Sequence, residues 1–383
     1  MKEIVFFDDL GWENLLPLTL TRPSSEIRIG ILTIREKWEK VLGKTSSWKT
    51  QGYLSEKFLF AVKHKSGVLY INGRVCPNEI LVSELKKLEK GYFLVINDTV
   101  VAYLDRGGKL RKSASNATVI NFPWDIFVHN GVELERDFQL LTRGRKSQEI
   151  SKSNRITGKG KIFLEAGVVM EACVLNPMGK VIYLGKNAMM MEGTLVRGGL
   201  SVGEESHLKM GTRIYGPCTI GPNCRVGGEV SNSVIFGFSN KAHDGFLGNS
   251  VLGEWCNLGA DTNTSNLKNN YSEVRVYNYK KEDWVGTGLQ FCGLIMGDHS
   301  KSSINTMLNT GTVVGVNVNL FGGDFPPKHI PSFSWYGGGG NTRYQFGKAM
   351  AVAREVMARR GQAINKIEEK ILRHIYDEKR GGE

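Results

Sequence analysis

Three patterns in the sequence predict an α/β domain over residues 1–145, a left-handed parallel β-helix of hexapeptide repeats over 146–325, and a C-terminal extension over 326–383 with a long helix. Before residue 145, short apolar runs alternate with runs of helical spacing. From Leu184 to Val230 the sequence repeats every six residues. Near the C-terminus, apolar residues form one stripe at helical spacing.

In the first unit, Ile4-Val5-Phe6-Phe7 is a buried strand. Leu32 to Leu42 has helical spacing and ends at Gly43, a residue suited to the left-handed turn that closes a helix. Val68 to Ile71 is a second strand, turning at Asn72-Gly73; Glu79 to Lys90 is helical and Tyr92 to Ile96 is a third strand. Alternation of this kind points to a mostly parallel sheet. The stretch from Pro123 to Arg143 closes the domain, and Gly144 to Lys161, polar and glycine-bearing, reads as a linker.

The period of six begins clearly at Leu184. Its first position is Leu184, Met190, Val196, Val202, Leu208, Ile214, Ile220 and Val226. Its fifth is Ala188, Thr194, Leu200, Ser206, Thr212, Cys218, Cys224 and Val230, mostly small. Six is neither 3.6 nor 2, so neither a long helix nor a hairpin sheet explains it. A solenoid does, because each unit buries its apolar residue against the next coil. The repeat falters at 236–245, returns at Leu252 and Leu258, breaks at 267–284, and resumes from Met296 through Leu320. Such breaks mark loops thrown from the corners of a rigid scaffold, where sites tend to lie. Pro326-Pro327 ends the solenoid, Gly337 to Gly340 is a flexible joint, and Tyr344 to Tyr376 is helical, with Ile364, Ile367, Ile371 and Ile375 as its packing stripe.

No apolar run approaches the eighteen residues of a membrane span, and Met1-Lys2-Glu3 leads straight into a strand, so a cytoplasmic protein without membrane contact is expected. The net charge is +12, without a basic run or basic–aromatic interleaving. That pattern suits a solvated basic surface and phosphorylated ligands better than nucleic acid. The six cysteines form no CxxC pair and read as reduced, buried thiols.

The segment Lys241-Ala242-His243-Asp244-Gly245-Phe246-Leu247-Gly248-Asn249, continuing to Leu258-Gly259-Ala260-Asp261-Thr262, resembles the bifunctional N-acetylglucosamine-1-phosphate uridyltransferase/glucosamine-1-phosphate acetyltransferase (GlmU-like) family. The nearest resemblance is to a branch with a shortened nucleotidyltransferase-like N-terminal domain. The resemblance implies a Rossmann-like α/β domain before a β-helix that assembles as a homotrimer. It makes His243 the catalytic histidine. It places Lys241, Phe246, Asn257 and Asn266 beside an amino-sugar phosphate, and Ala260, Thr262, Gly297, Asp298 and Gly315 beside acetyl-CoA. Phe246 stands where the family has tyrosine. Leu16-Pro17-Leu18-Thr19 resembles the end of the nucleotidyltransferase signature, but the glycine-rich phosphate loop before it is missing. Arg74 takes the place of the metal-binding aspartate, so Mg2+ is expected only if the first domain is active. Arg22, Arg28 and Arg74 are its candidate phosphate ligands.

The implied reaction suits a histidine, which near neutral pH can take the proton an attacking amine must lose. Backbone N–H groups at a β-helix corner could hold the oxyanion. Three other readings stay open on the residues. The first domain could carry sugar-1-phosphate nucleotidyl transfer, with the β-helix as a trimerisation scaffold. The chain could instead be a non-catalytic sensor of nucleotide sugars. His207, His243 and His299 could hold zinc between subunits, although no metal site is expected. For His243 itself the alternative is a structural loop histidine, and for Cys256 a buried thiol rather than a nucleophile.

Overall fold

The computed structural model describes residues 3–64, 66–338 and 340–378. In the first domain's five-stranded sheet, Glu3–Phe7 lies parallel to the edge strand Ser46–Lys49 on one side and to the central strand Val68–Asn72 on the other. Parallel order stops there, because Thr99–Lys112 and Lys90–Ile96 add two antiparallel strands at one edge. The apolar pattern hid Thr99–Lys112, whose second half is mostly exposed and polar. Helix α1 (Ile34–Leu42) opens with a Thr33–Glu36 capping box and closes at Gly43 with φ 64°. Helix α2 (Glu79–Lys86) is capped by Asn78, and the twenty-residue α3 (Pro123–Thr142) starts with proline, whose fixed φ suits a first helical turn.

The rest is a three-walled parallel β-helix. Wall A has nine strands, from Lys161–Leu164 to His329–Ile330. Wall B runs from Val169–Met170 through Asn240–Lys241 and a bridge at Asn257 to Lys301–Ser302 and Ser334–Gly337. Wall C runs from Arg155–Ile156 through Phe246–Gly248, followed by Asn263–Thr264 and Met307–Leu308. Arg155–Ile156 lies in the stretch read as a linker, yet already pairs with Val174–Leu175. All eight first-position residues from Leu184 to Val226 are at most 3% exposed. Burying each such side chain is worth about 1.5–3 kcal/mol.

The faltering period has a geometric cause. From Leu184 to Ile220, coils are eighteen residues long, as in Leu184↔Val202 and Val202↔Ile220. The next pairing on wall A is Ile220↔Ile235, and on wall B Val226↔Lys241, fifteen residues on in each case. Two of the missing residues come from the B–C edge, where inward Val226 is followed by inward Val230 rather than by a residue six positions on. Val230, read as a fifth position, therefore pairs with first-position Ile214. The break after Leu267 is an insertion thrown from the C–A edge, with a hairpin of Arg275–Asn278 and Asp283–Gly286.

The first domain sits on wall A. Outward residues Thr219, Val234, Val251, Ile295 and Val313 are fully covered, and Thr219 Oγ1 donates to Gly30 O at 2.7 Å. The inserted hairpin extends this contact: Lys280 Nζ donates to Leu10 O at 2.8 Å and Asn278 to Asn14 Oδ1 at 3.2 Å. Pro326-Pro327 falls inside the last coil instead of after it, since His329–Ile330 still pairs with Val313–Val314. The glycine-rich stretch read as a joint lies at a hairpin of Ser334–Gly337 with Gly340–Arg343. The single long helix expected next is two, α4 (Phe346–Ala358) and α5 (Lys366–Asp377), separated at Gly361 with φ 66°. Ile371 and Ile375 are buried as the stripe requires, and α5 returns to the first domain, where His374 stacks on Tyr53 at 4.1 Å. Among the described residues, no helix is long and apolar enough to cross a membrane.

Candidate functional site

His243 stands on the B–C edge, between Asn240–Lys241 of wall B and Phe246–Gly248 of wall C, and both it and Asp244 are exposed. The corner beneath is the one shortened at Gly227-Gly228, so the histidine corner, again full length, overhangs it. Contact between the two is close. A Cβ on Gly228, whose φ is 69°, would lie 2.8 Å from His243 O and Asp244 Cα, and one on Gly227 would lie 2.4 Å from Ala242 O. Only glycine fits beneath the loop.

Lys241 fixes this loop from within. It pairs with inward-facing Val226 and is 2% exposed. Its Nζ donates to His243 O at 2.5 Å and to Asp244 O at 3.2 Å. Burial brings its pKa down to about 8. From the next coil, Asp261 N donates to Asp244 O at 3.0 Å, and Arg213 lies 3.7 Å from the Asp244 carboxylate. The backbone of the corner is held on two sides while the imidazole faces solvent. Lys241 thus meets the loop carbonyls and not a ligand, a role that the sugar-side reading did not anticipate.

Phe246 and Asn266 come together on wall C. A Cβ on Gly248 would lie 2.5 Å from Phe246 Cζ and 2.6 Å from Asn266 Nδ2, so both side chains pack over that glycine. Asn266 Nδ2 also donates to Asn249 Oδ1 at 2.8 Å. Asn257 lies on wall B, in register between Asn240 and Lys301. Ala260 is half-buried on the B–C edge, one coil beyond His243. Thr262 has to be reassigned. It is 1% exposed and its hydroxyl meets Ser302 Oγ at 2.9 Å inside the prism, out of a ligand's reach.

Gly297, Asp298 and Gly315 occupy a different edge, between walls A and B. Their coils stack so closely that a Cβ on Gly297 would lie 2.9 Å from Gly315 O, and one on Gly315 would lie 2.4 Å from Ser332 N. Asp298 is buried and accepts from Thr21 Oγ1 at 2.7 Å, from Arg22 Nη2, and from Glu254 N at 2.9 Å. Arg22 adds Glu254 at 3.3 Å and is itself buried. Two residues expected to meet different ligands meet each other instead, and clamp the first domain to the solenoid.

A model of the sugar nucleotidyl transferase family matches residues 4–146. The chain is 32% identical to the bifunctional protein GlmU of Rippkaea orientalis over 163 residues, which cover 40% of this chain and 30% of that one. It is 26% identical to the bifunctional protein GlmU of a Nostoc species over 250 residues, covering 63% of this chain and 47% of that one. The chain is thus distantly similar to GlmU proteins. It spans less than half the length of the curated relatives it matches. A solved hexapeptide transferase family protein from Anaplasma phagocytophilum aligns over 59% of this chain and 94% of that one, at 12% identity and a TM-score of 0.27.

At the strand ends of its first domain the chain carries Asp8, Asp9 and Arg74. Arg74 is buried. Its Nε and Nη2 donate to Asp9 at 2.8 and 2.6 Å, and its Nη1 donates to Ile120 O and Asn121 Oδ1. Burial works against the Asp9 charge, but Arg74 prevails and holds that carboxyl below its ordinary range. Asp8 accepts from Ser24 N at 3.0 Å and Thr50 Oγ1 at 2.6 Å, and burial pushes its pKa up. One carboxylate is committed to a cation and the other to internal donors, so these residues do not fit Mg2+. Arg28 donates to Ile31 O at 2.5 Å and lies 3.9 Å from Glu36. All three arginines proposed for phosphate are engaged by protein groups.

The histidines do not converge. His207 is half-buried on wall B, His243 is exposed on the B–C edge, and His299 is buried at the A–B edge, where burial drives its pKa down to about 3. Cys256 is buried against Gly297 O at 3.2 Å, and burial pushes its thiol far above the usual range, as suits a structural thiol.

Proposed function

We propose that this protein transfers an acetyl group from acetyl-CoA to the amine of an amino-sugar phosphate, glucosamine 1-phosphate first among them, with His243 as general base. The observation that carries this reading is an exposed imidazole whose backbone is pinned from inside by Lys241 and from the adjoining coil by Asp261. The amine attacks the thioester carbonyl and its proton passes to the neutral imidazole. The oxyanion collapses, the carbon–sulfur bond breaks, and the imidazolium returns the proton to the leaving thiolate. Phe246 and Asn266 would face the sugar, with Phe246 supplying a surface but no phenol hydrogen bond. The amide of Asn257 would likewise face the sugar, and the edge of the coil at Ala260 would lie along the donor.

A trimer with the site between subunits fits the solenoid's coverage. Wall A is covered by the first domain, whereas wall C exposes Val174, Leu195 and Tyr215, at 36%, 47% and 46%. Thiol release from acetyl-CoA with glucosamine 1-phosphate, measured beside His243→Ala, tests the reading. Turnover that depends on His243 supports it, and a mutant with near-normal turnover removes His243 from the role.

The family match over residues 4–146 favours a second reading, sugar-1-phosphate nucleotidyl transfer by the first domain. Arg74 paired to Asp9, and the inserted hairpin held on Leu10, weigh against it. Pyrophosphate release from UTP or dTTP with a sugar 1-phosphate would reinstate it. Binding of a nucleotide sugar without turnover in either assay would leave a sensor.

A further inference from the structure

We propose that the outer face of wall B carries a phosphate-binding subsite built from His207, Arg225 and Arg360. This deepens the acetyl-transfer reading, on which the subsite's role though not its existence rests. His207 pairs with Arg225, and Arg225 with Asn240, so the three side chains stand on neighbouring parallel strands. That spacing is about 4.8 Å per strand. Arg225 Nη1 donates to Glu205 O at 2.8 Å and Cys224 O at 2.9 Å, which lays its guanidinium along the wall. Arg360, from the turn between α4 and α5, comes down onto the same row and donates through Nη2 to Asn240 Oδ1 at 2.8 Å. The two guanidinium side chains and the imidazole are all half-buried.

Among the described residues none of these three side chains is paired with a carboxylate. Elsewhere this protein treats half-buried and buried arginines otherwise: Arg22, Arg35 and Arg74 each have a carboxylate within 3.3 Å. Burial lowers the pKa of Arg225, and Arg360 lowers it further. Burial likewise lowers His207, with Arg225, Lys209 and Arg360 adding to the effect. Gathered like charges withdrawn from water are unfavourable by themselves and become favourable once an anion is shared among them. Two planar guanidinium forks beside a ring N–H match the geometry of a phosphate group.

Position connects this row to the candidate site. Asn240 lies three residues before His243 on the strand that enters its corner. Lys209 begins the same edge two coils away, where its Cβ would lie 3.3 Å from a Cβ on Gly227. A phosphorylated substrate anchored on wall B would reach the imidazole by following one coil around that edge. Two sources share the chemistry: the phosphate of the sugar, and the phosphates of coenzyme A.

Calorimetric titration of the full-length protein with inorganic phosphate, glucosamine 1-phosphate, coenzyme A and dephospho-coenzyme A tests the subsite. Arg360→Gln and Arg225→Gln should each raise the Kd of the bound phosphate ligand about tenfold or more, the loss expected for one charge-assisted contact. The effect should weaken as salt rises. If the 3′-phosphate of coenzyme A is the occupant, the wild-type preference for coenzyme A over its dephospho form disappears in the variants. If the sugar phosphate is, only glucosamine 1-phosphate weakens. Equal binding of all four probes by wild type and both variants overturns the subsite, and so does a wild type that binds none of them. Arg360 lies on a surface turn, so its variant carries the test should Arg225→Gln fail to fold. The readout does not depend on turnover. Intact phosphate binding without acetyl transfer in wild type would sink the acetyltransferase and leave the subsite standing.

Discussion

The A–B and B–C edges of the same prism make an instructive contrast. At the A–B edge, Asp298 meets the first domain and its charge is matched: Asp298 pairs with Arg22, and Arg22 also with Glu254. At the B–C edge, His243 and Asp244 are exposed over a corner cut short by two glycines. Both edges follow the same repeat, so the repeat does not decide where a site lies. What decides it is whether another part of the chain covers the corner. If so, charge removed at the B–C edge should cost activity and spare stability, and charge removed at the A–B edge should do the reverse.

The largest effect is expected from His243→Ala, a loss of roughly two to four orders of magnitude in acetyl transfer if His243 is the base. Because the side chain is exposed and its backbone is held through carbonyls, the melting temperature should stay within about 1 °C of wild type. A large drop in melting temperature with modest loss of turnover would make His243 structural and collapse the contrast.

Arg22→Met should invert that result. It leaves Asp298 buried without its cation, which costs about 3–5 kcal/mol. Denaturant unfolding should show the loss, and the double replacement Arg22→Met, Asp298→Leu should recover most of it, since the stranded charge is then gone as well. If Arg22→Met instead left stability unchanged and weakened ligand binding, the A–B edge would be a site after all.

These two edges also measure what the sequence could disclose. Leu184 through Val226 recur every six residues because each must fill the prism once per wall, so the solenoid was legible residue by residue. The shortened corner was present as Val226-Gly227-Gly228-Glu229-Val230, but Val230 also satisfied the period as a fifth position, and the deletion hid behind that coincidence. Arg22 and Asp298 stand 276 positions apart, and nothing local to either announces the other. Each therefore read as a ligand-binding residue. Lys241 was singled out beside His243, yet its inward direction follows only from the register Val226↔Lys241, which the shortened coil sets. Arg360 was missed altogether, because its place over Asn240 depends on two helices folding back along wall B.

Lys241→Met sharpens the comparison from inside the B–C edge. The ammonium holds two loop carbonyls, so its loss should loosen the His243 corner and lower turnover about ten- to a hundredfold, with KM changing less than kcat. The charge is not a stabiliser in the folded state. A lysine pKa brought from about 10.5 to about 8 means that burial penalises the protonated form, fully so below pH 8, and the penalty is relieved as pH rises from 8 toward 10.5. The variant should therefore keep or gain stability at pH 7 while losing activity. If activity persisted, the backbone contact from Asp261 would be sufficient to fix the corner.

The smallest effect belongs to His299, which closes the A–B edge. Its φ is 61°, its Nδ1 has no partner among the described residues, and burial drives its pKa from 6.5 to about 3. The unfolded chain then binds a proton that the folded chain refuses between pH 6.5 and 3, so stability falls as pH drops through that window. The loss is about 2 kcal/mol by pH 5. His299→Asn keeps a residue tolerant of the left-handed backbone and removes the titration. Its unfolding free energy, followed from pH 7 to pH 5, should lack that part of the decline, while acetyl transfer over the same range should titrate as in wild type. A variant that changed the pH profile of turnover but not of stability would place His299 in the reaction, and the two edges would no longer be opposites.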